Sequence, residues 1–253
     1  MLVNCLKGSM MNAIAIAIAN TKPTVVLVHG AWADASSWGK VIPFLHRAGV
    51  SVIAVQNPTS SLADDVAATR HALDGVQGPV VLAGHSWGGT VITEAGNDPK
   101  VKALVFVAAF APDVGESTGD QVAAHTAPPG LSTVSADHAG SLVMSVEGFI
   151  RNVAQDLPEE QARVLAAVSP PLGAGTFSDK VTRTAWSTRE NWYVVSCEDR
   201  AVDLELQQQL ALRLKARKTE LKASHMSLLS QPEAVADVIL DAVDAVARLE
   251  PQA

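Results

Sequence analysis

Short apolar runs alternate along the chain with longer stretches in which apolar residues recur at helical spacing. The apolar runs at 24–30, 50–55, 79–85, 101–109, 192–197 and 218–224 predict strands, and the stretches at 37–48, 61–73, 86–96, 203–215 and 232–248 predict helices. The runs are apolar almost throughout, which is typical of parallel strands buried on both faces. The pattern therefore predicts an α/β fold, with a mostly parallel central sheet flanked by helices.

One region interrupts this alternation. Residues 112–188 contain several short helical patterns and the loop formers PPG and PPLGAG, but no strand-like run. An insertion of that length between two core strands is too long for an ordinary loop. The sequence therefore predicts a small helical cap at 112–188, on a core formed by residues 21–111 and 189–253.

Residues 1–20 form a tail ahead of the first predicted strand. Lys7 followed by MMNAIAIAIA is weakly typical of a signal peptide, although a short leader or a strand fits the alternation of Ala and Ile equally well. We expect a cytoplasmic protein, with export as the alternative if the tail is a signal remnant. No run has the 18 or more apolar residues of a membrane-spanning helix, so no membrane partner is expected.

Composition narrows the class of protein. Apolar residues make up 48% of the 253 positions and charged residues 18%, which provides a sizeable core and excludes a disordered chain. The net charge of −7 leaves no basic face for phosphates, so no nucleic-acid partner is expected. Cys5 and Cys197 are expected to be free thiols, and the seven histidines show no metal-ligand spacing.

A candidate nucleophile follows the third predicted strand. The stretch Gly84-His85-Ser86-Trp87-Gly88 has the spacing G-x-S-x-G, with a strand pattern before it and a helix pattern after it. Such a turn holds the serine in a strained backbone conformation, so its neighbours must be small, which Gly84 and Gly88 provide. The motif predicts Ser86 as the nucleophile, at a helix N-terminus that favours developing negative charge.

The backbone N–H groups of Ala31 and Trp87 are the predicted donors to an oxyanion. Serine hydrolases with this kind of turn take one donor from the residue after the serine and another from the loop after an early strand. The stretch VVLVHGAW supplies that loop, with His29 and Gly30 supporting it. His29 is expected to be a buried, hydrogen-bonded ring without a role in proton transfer.

The last two predicted core strands end beside a candidate acid and a candidate base. Glu198 and Asp199 follow one strand, and His225 follows the other. His225 can accept the proton of Ser86 and return it to a leaving group, while a carboxylate fixes the imidazole tautomer. Side-chain alternation gives only one of the two acids the right direction, and the pattern leaves that choice open. His85 is expected to pack or bridge. Weaker carboxylate candidates are Asp203, Asp65 and Asp113.

These motifs resemble the α/β-hydrolase superfamily, in particular its small serine esterases related to plant methyl esterases and hydroxynitrile lyases. The likeness runs from Lys22 to Ala247 and is carried by HGAWADASSW, NPTSSLADDVAATRHAL, GHSWGGTVITEAG, VFVAAFAPDVGES, EDRAVDLELQ and ASHMSLLSQPEAVADVI. The resemblance implies an α/β-hydrolase fold. It also implies a Ser86–His225–Asp199 triad that forms an acyl-enzyme, with Asp199 as the acid.

Departures from the resembled branch narrow the chemistry. Hydroxynitrile lyases of this branch carry a threonine after the first histidine and a lysine after the catalytic histidine, where this chain has Gly30 and Met226. Dehalogenases and epoxide hydrolases place an aspartate where Ser86 stands. The resemblance therefore implies a carboxylesterase for small esters. A lactonase, a perhydrolase, a lyase or a ligand receptor with slow turnover are the alternatives.

Aromatic residues are candidates for the walls of the substrate pocket. Trp32, Phe110 and Trp186 are expected to contribute, and the predicted cap, to which Trp186 belongs, would line the pocket and exclude water. The expected partner is a small-molecule ester, and methyl, aryl, lactone and pyrethroid-like esters all fit. The chemistry is nucleophilic and acid–base, so no cofactor is expected. A homodimer remains open.

Overall fold

A six-stranded parallel sheet forms the centre of the computed structural model, which describes residues 22–249. The strands of the chain are β1 (Thr24–Val28), β2 (Val52–Val55), β3 (Val80–His85), β4 (Val101–Val107), β5 (Val134–Ala136), β6 (Leu142–Met144), β7 (Glu190–Ser196) and β8 (Arg217–Leu221). The sheet order is β2-β1-β3-β4-β7-β8, and every neighbouring pair is parallel. The predicted fold class is therefore confirmed.

Helices cover both faces of this sheet. They are α1 (Ile42–Arg47), α2 (Leu62–Asp74), α3 (Trp87–Ala95), α4 (Thr118–Ala123), α5 (Val146–Asn152), α6 (Glu159–Val168), α7 (Leu204–Arg213), α8 (Ser227–Ser230) and α9 (Pro232–Leu249). The helix predicted at 37–48 is divided into a 3₁₀ turn, Ala35–Trp38, and α1.

Side-chain alternation divides the core into two layers. Val25 and Leu27 of β1 face the layer that contains α1 and α9, whereas Val26 and Val28 face the layer that contains α2, α3 and α7. All four side chains are fully buried. Burial on both faces explains why β1 is apolar without alternation.

The segment between β4 and β7, residues 112–188, is here called the insertion. It contains α4, α5 and α6, as predicted, and also a small antiparallel pair of strands, β5 and β6, that the sequence did not predict. These strands are three residues long and only partly buried, so they are too short to give an apolar run like those of the core strands. The division into a cap at 112–188 and a core remains a prediction of domain organisation.

The ends of the chain lie outside the described part of the structure. The tail at residues 1–20, with its leader-like or signal-like pattern and Cys5, belongs to this outside part. Between residues 22 and 249, no helix combines the length and apolarity needed to cross a bilayer. Cys197 forms no disulfide with any described residue.

Candidate active site

The turn after β3 places Ser86 directly before α3. Ser86 has φ 54° and ψ −123°, a strained conformation for a residue with a side chain. Its N–H donates to the Val107 carbonyl at 3.1 Å, and its carbonyl accepts from Gly89 N–H at 2.9 Å and Phe110 N–H at 3.2 Å. These backbone hydrogen bonds to the end of β4 and to α3 hold the strained turn.

Glycines permit close contacts around this turn. A Cβ on Gly84 would lie 2.5 Å from the Gly88 carbonyl oxygen, and a Cβ on Gly88 would lie 2.5 Å from the Val28 carbonyl oxygen of β1. A Cβ on Gly30 would lie 2.8 Å from the Cβ of Ser86. Because only glycine allows such approaches, these residues bring the loop after β1 against the serine.

Asp199 and His225 meet at the carboxyl edge of the sheet, beyond the ends of β7 and β8. The Nδ1 atom of His225 lies 2.7 Å from Oδ2 of Asp199, and both side chains are buried. A carboxylate only accepts, so Nδ1 carries the proton. In the neutral ring, Nε2 is then the basic nitrogen.

Three further N–H groups fix the Asp199 carboxylate. Its Oδ1 accepts from the backbone of Ala201 at 2.7 Å and of Val202 at 2.9 Å, and its Oδ2 accepts from the Gln207 amide at 3.0 Å. Such bonds to an ionised carboxylate are charge-assisted and orient it strongly. These three bonds therefore hold the Asp199 carboxylate in place while it accepts a hydrogen bond from His225.

Glu198, the competing carboxylate, lies at the surface. Its side chain is about half exposed, and its Oε1 lies 3.7 Å from Nζ of Lys222. The structure brings Asp199 to His225 and leaves Glu198 outside the site.

Ser86 and His225 line the same cavity. The rest of its wall is apolar apart from the Trp32 indole nitrogen, and it consists of Ala31, Trp32, Phe110, Leu131, Met144, Phe149, Val153, Phe177, Ala201 and Val202. Within residues 22–249, no standard hydrogen bond joins Ser86 Oγ to the His225 ring. Catalytic hydrogen bonds are often long in unliganded sites and tighten when substrate binds.

The two predicted oxyanion donors both lie next to the serine. Ala31 lines the cavity, and Trp87 is the first residue of α3. In the described part of the chain, neither backbone N–H donates to another protein group. N–H groups in the first turn of a helix lack partners within the helix and attract negative charge. Both N–H groups are therefore available to a ligand oxygen.

His29 is fully buried beneath the loop that carries Ala31. Its Nε2 accepts from Asn57 N–H at 2.9 Å, so its Nδ1 carries the proton and donates to the Gly30 carbonyl at 2.9 Å. Burial lowers the pKa of His29 below its usual value, which keeps the ring neutral. His29 thus supports the loop through hydrogen bonds.

His85 bridges from β3 to the loop that carries His225. Its Nε2 donates to the His225 carbonyl at 2.9 Å, and the two ring centroids are 4.6 Å apart. Burial, followed by the proximity of His225, lowers the pKa of His85 well below its usual value. A neutral His85 therefore anchors the backbone of His225.

Trp186 does not line the cavity, contrary to the expectation from sequence. It lies in a 3₁₀ turn, Ala185–Ser187, just before β7, and so near the amino end of a strand whose carboxyl end faces the site. Its indole N–H donates to the Pro112 carbonyl at 3.1 Å. The aromatic side chain that the insertion places beside Trp32 is Phe177, with ring centroids 5.8 Å apart.

Two consecutive residues of the insertion hold the backbone just before the candidate acid and the candidate base. The Gln155 side-chain amide donates to the Glu198 carbonyl at 2.7 Å. The Asp156 carboxylate accepts from Ser224 N–H at 2.8 Å and from the Ser224 hydroxyl. Sequence reasoning missed both residues, because nothing in a helix-and-loop pattern marks which polar residue faces the core.

Residues 25–238 match the model of a family described as the alpha/beta hydrolase family. This match spans most of the chain, and it agrees with the nucleophile turn, the sheet order and the positions of Asp199 and His225. The chain belongs to the alpha/beta hydrolase family.

Relatives with assigned names are similar along most of their length. Methylesterase 7 of Arabidopsis thaliana is 29% identical over 256 residues, which cover 89% of this chain and 98% of the relative. Polyneuridine aldehyde esterase of Rauvolfia serpentina is 27% identical over 260 residues, with coverage of 87% and 95%. These matches confirm the resemblance to plant methyl esterases.

Solved structures share the fold. A pyrethroid hydrolase from Sphingobium faniae JZ-2 superposes with a TM-score of 0.77 at 20% identity, covering 89% of this chain and 99% of the other. Polyneuridine aldehyde esterase superposes with a TM-score of 0.75 at 23% identity, covering 88% and 99%.

Proposed function

We propose that this protein hydrolyses small carboxylic esters through an acyl-enzyme on Ser86. The observation that carries the proposal is the 2.7 Å hydrogen bond from His225 to the buried Asp199, beside a cavity that Ser86 also lines. Membership of the alpha/beta hydrolase family and the esterases among its relatives support a carboxylic ester hydrolase.

Acylation begins when Ser86 Oγ attacks the ester carbonyl carbon. The Nε2 atom of His225 takes the hydroxyl proton, and Asp199 stabilises the imidazolium that forms. The N–H groups of Ala31 and Trp87 donate to the oxyanion of the tetrahedral intermediate. As the intermediate collapses, His225 gives its proton to the departing alcohol, which leaves an acyl group on Ser86.

Deacylation repeats these steps with water. His225 Nε2 removes a proton from a water molecule, whose oxygen attacks the acyl carbonyl carbon. The second tetrahedral intermediate collapses when the proton passes from His225 to Ser86 Oγ, which releases the carboxylic acid. Every proton in this cycle is handled by His225.

The cavity wall indicates the substrate class. Apart from Ser86 and His225, its lining residues are aliphatic or aromatic, and none carries a charge at neutral pH. A charged group on a substrate would lose its hydration there without gaining a partner. We therefore propose uncharged esters with apolar or aromatic groups, and p-nitrophenyl acetate and butyrate are suitable probes.

Replacement of Ser86 tests the nucleophile. We expect Ser86→Ala to lower kcat for p-nitrophenyl butyrate by about 10⁴-fold or more, because the attacking oxygen is removed while the oxyanion donors remain. Steady-state kinetics with purified protein measure this loss, and circular dichroism checks the fold. Hydrolysis by Ser86→Ala at a rate close to wild type would reject the proposal.

The two adjacent acids provide a matched control within the same experiment. Asp199→Asn removes the negative charge beside His225 and turns one of the two acceptor oxygens into an NH₂ donor, and an equivalent change in a serine protease lowers kcat by about 10⁴-fold. Glu198→Gln changes an exposed side chain and is expected to retain wild-type kcat. Equal losses in the two variants would contradict the assignment of Asp199.

A further inference from the structure

Asp65 is a carboxylate on the buried side of α2 that the proposed mechanism does not use. It is fully buried and shares this side of the helix with Leu62, Val66, Thr69 and Leu73. An ionised group in such a place is costly unless its oxygens are bonded. Both of its oxygens accept hydrogen bonds from neutral N–H groups rather than from a cation.

One of these bonds leads to the residue after the nucleophile. The indole N–H of Trp87 donates to Oδ2 of Asp65 at 2.8 Å, and Trp87 itself is fully buried. The backbone N–H of this same tryptophan is one of the two proposed oxyanion donors. Asp65 therefore holds the side chain of a residue whose backbone is placed beside Ser86.

The second bond leads towards the other proposed donor. Oδ1 of Asp65 accepts from Thr59 N–H at 2.8 Å, in a loop where Thr59 has φ 57°. Two residues earlier, Asn57 N–H donates to the His29 ring, and the other nitrogen of that ring donates to the Gly30 carbonyl. Ala31 follows directly. Hydrogen bonds from residues 57–65 thus lead to both segments that carry a proposed oxyanion donor.

We propose that Asp65 is a positioning residue that fixes the oxyanion N–H groups of Trp87 and Ala31 relative to each other. The inference rests on the proposed function, because that function gives these N–H groups their role. Donors stabilise an oxyanion only when they are already aimed at it, and small displacements are costly. Burial raises the pKa of Asp65, whereas the Trp87 and Thr59 bonds oppose this rise by binding the ionised form.

Asp65→Asn tests the proposal, with the neighbouring Asp64→Asn as its control. The amide keeps the size of the side chain, but its NH₂ group faces a donor, so one of the two bonds is lost. We expect kcat for p-nitrophenyl butyrate to fall about 10- to 100-fold, with KM unchanged within about 2-fold. Asp64 is exposed and bonds the hydroxyls of Ser60 and Ser61, so its variant should keep wild-type kcat.

Inhibition by a tetrahedral anion gives a second measurement, which tests the oxyanion donors directly. Phenylboronic acid can add to Ser86 as an anionic tetrahedral adduct and place an oxygen between the two N–H groups. Its inhibition constant should rise in Asp65→Asn by about the same factor as kcat falls, because both depend on the same donors. Wild-type kcat and wild-type inhibition in Asp65→Asn would overturn the inference.

Trp87→Phe keeps the test decisive whether or not Asp65→Asn folds. This change removes the indole donor and should by itself lower kcat about 10-fold with little change in KM. If Asp65 acts through Trp87, then Asp65→Asn slows Trp87→Phe much less than it slows wild type. Equal factors in the two backgrounds, or an unchanged kcat in Trp87→Phe, would contradict the proposal. Retained activity in Ser86→Ala would reject the proposed function instead, so the two failures are distinguishable.

Discussion

The three histidines of the site differ in their roles because they have different hydrogen-bond partners. His29 and His85 form their ring hydrogen bonds with backbone groups, and burial lowers the pKa of each below its usual value. His225 instead faces the carboxylate of Asp199. Of these three histidines, His225 is the one whose ring hydrogen-bonds a carboxylate, which suits the proposed role of general base.

The buried histidines predict a dependence of stability on pH. In the unfolded chain, each ring binds a proton near pKa 6.5, whereas burial lowers the pKa of both rings in the folded protein. The unfolded state thus binds more protons below that pKa, and the free energy of unfolding falls as the pH drops from 7.5 to 5.5. A histidine that stayed neutral throughout this range would contribute about 1 kcal/mol to this fall.

His85→Gln should reduce this fall by about 1 kcal/mol, because glutamine does not titrate but can still donate to the His225 carbonyl. Urea unfolding at pH 7.5 and pH 5.5 measures the difference. Exposed His71→Asn is the control and should behave like wild type. An unchanged pH dependence in His85→Gln would show that the folded ring takes up the proton too.

Among the elements, the turn between β3 and α3 leaves no room for added atoms at its glycines. A methyl group on Gly88 would meet the carbonyl oxygens of Val28 and His29, at 2.5 and 2.8 Å. Neither oxygen can move easily, because Val28 ends β1 and His29 follows it, and β1 is paired on both sides, with β2 and with β3. The spacing between sheet and helix therefore depends on this glycine.

Gly88→Ala is expected to lower the free energy of unfolding by about 1–3 kcal/mol through overpacking, and to lower kcat by shifting the serine. Urea unfolding and steady-state kinetics measure the two effects. Gly175→Ala is the control, because its added methyl group would meet nothing within 4 Å. Wild-type stability in Gly88→Ala would mean that the turn can yield.

The sequence predicted those elements whose burial leaves a periodic signal. Strands such as β1 and β3 are buried on both faces, so their residues form uninterrupted apolar runs. The β5–β6 pair is half exposed and short, and its clearest signal is the turn with Gly140 at φ 84° between the two strands. Local patterns do not encode partially buried pairings that tertiary contacts stabilise.

The same distinction holds for the site. Ser86, Asp199 and His225 each follow a core strand, so the parallel sheet brings their positions to one edge. Trp186 was misplaced because it precedes a strand. Asp65 was named only as a weak candidate for the acid, although its place on the apolar side of α2, at helical spacing from Leu62, could have indicated a buried role. Its hydrogen bond to Trp87 could not be predicted, because it depends on how α2 packs against α3.

At the scale of the whole molecule, the insertion contacts the core at the loops that carry Asp199 and His225, the candidate acid and the candidate base. Gln155 and Asp156 hold the residues just before Asp199 and His225. The Ser224 hydroxyl that donates to Asp156 also accepts from Met226 N–H at 3.1 Å. Movement of the insertion would therefore displace the loop that carries His225.

Asp156→Ala is expected to lower kcat about 10-fold and to speed hydrogen exchange of the peptide 222–230, because the loop loses two hydrogen bonds. Asp156→Asn should restore most of the rate, since its amide can accept from Ser224 N–H and donate to the hydroxyl. Glu160→Ala, on exposed α6, is the control. Unchanged exchange and kcat in Asp156→Ala would show that the core alone orders the loop.

Replacing the insertion with that of a relative would change turnover as well as substrate range. Met144, Phe149 and Phe177 shape the cavity from the same stretch of chain that carries Gln155 and Asp156. A chimera with new cavity-lining residues but without these two polar side chains would have altered selectivity and a less ordered loop at His225. Diversification of such a hydrolase should therefore proceed more readily through single wall substitutions than through wholesale replacement of the segment.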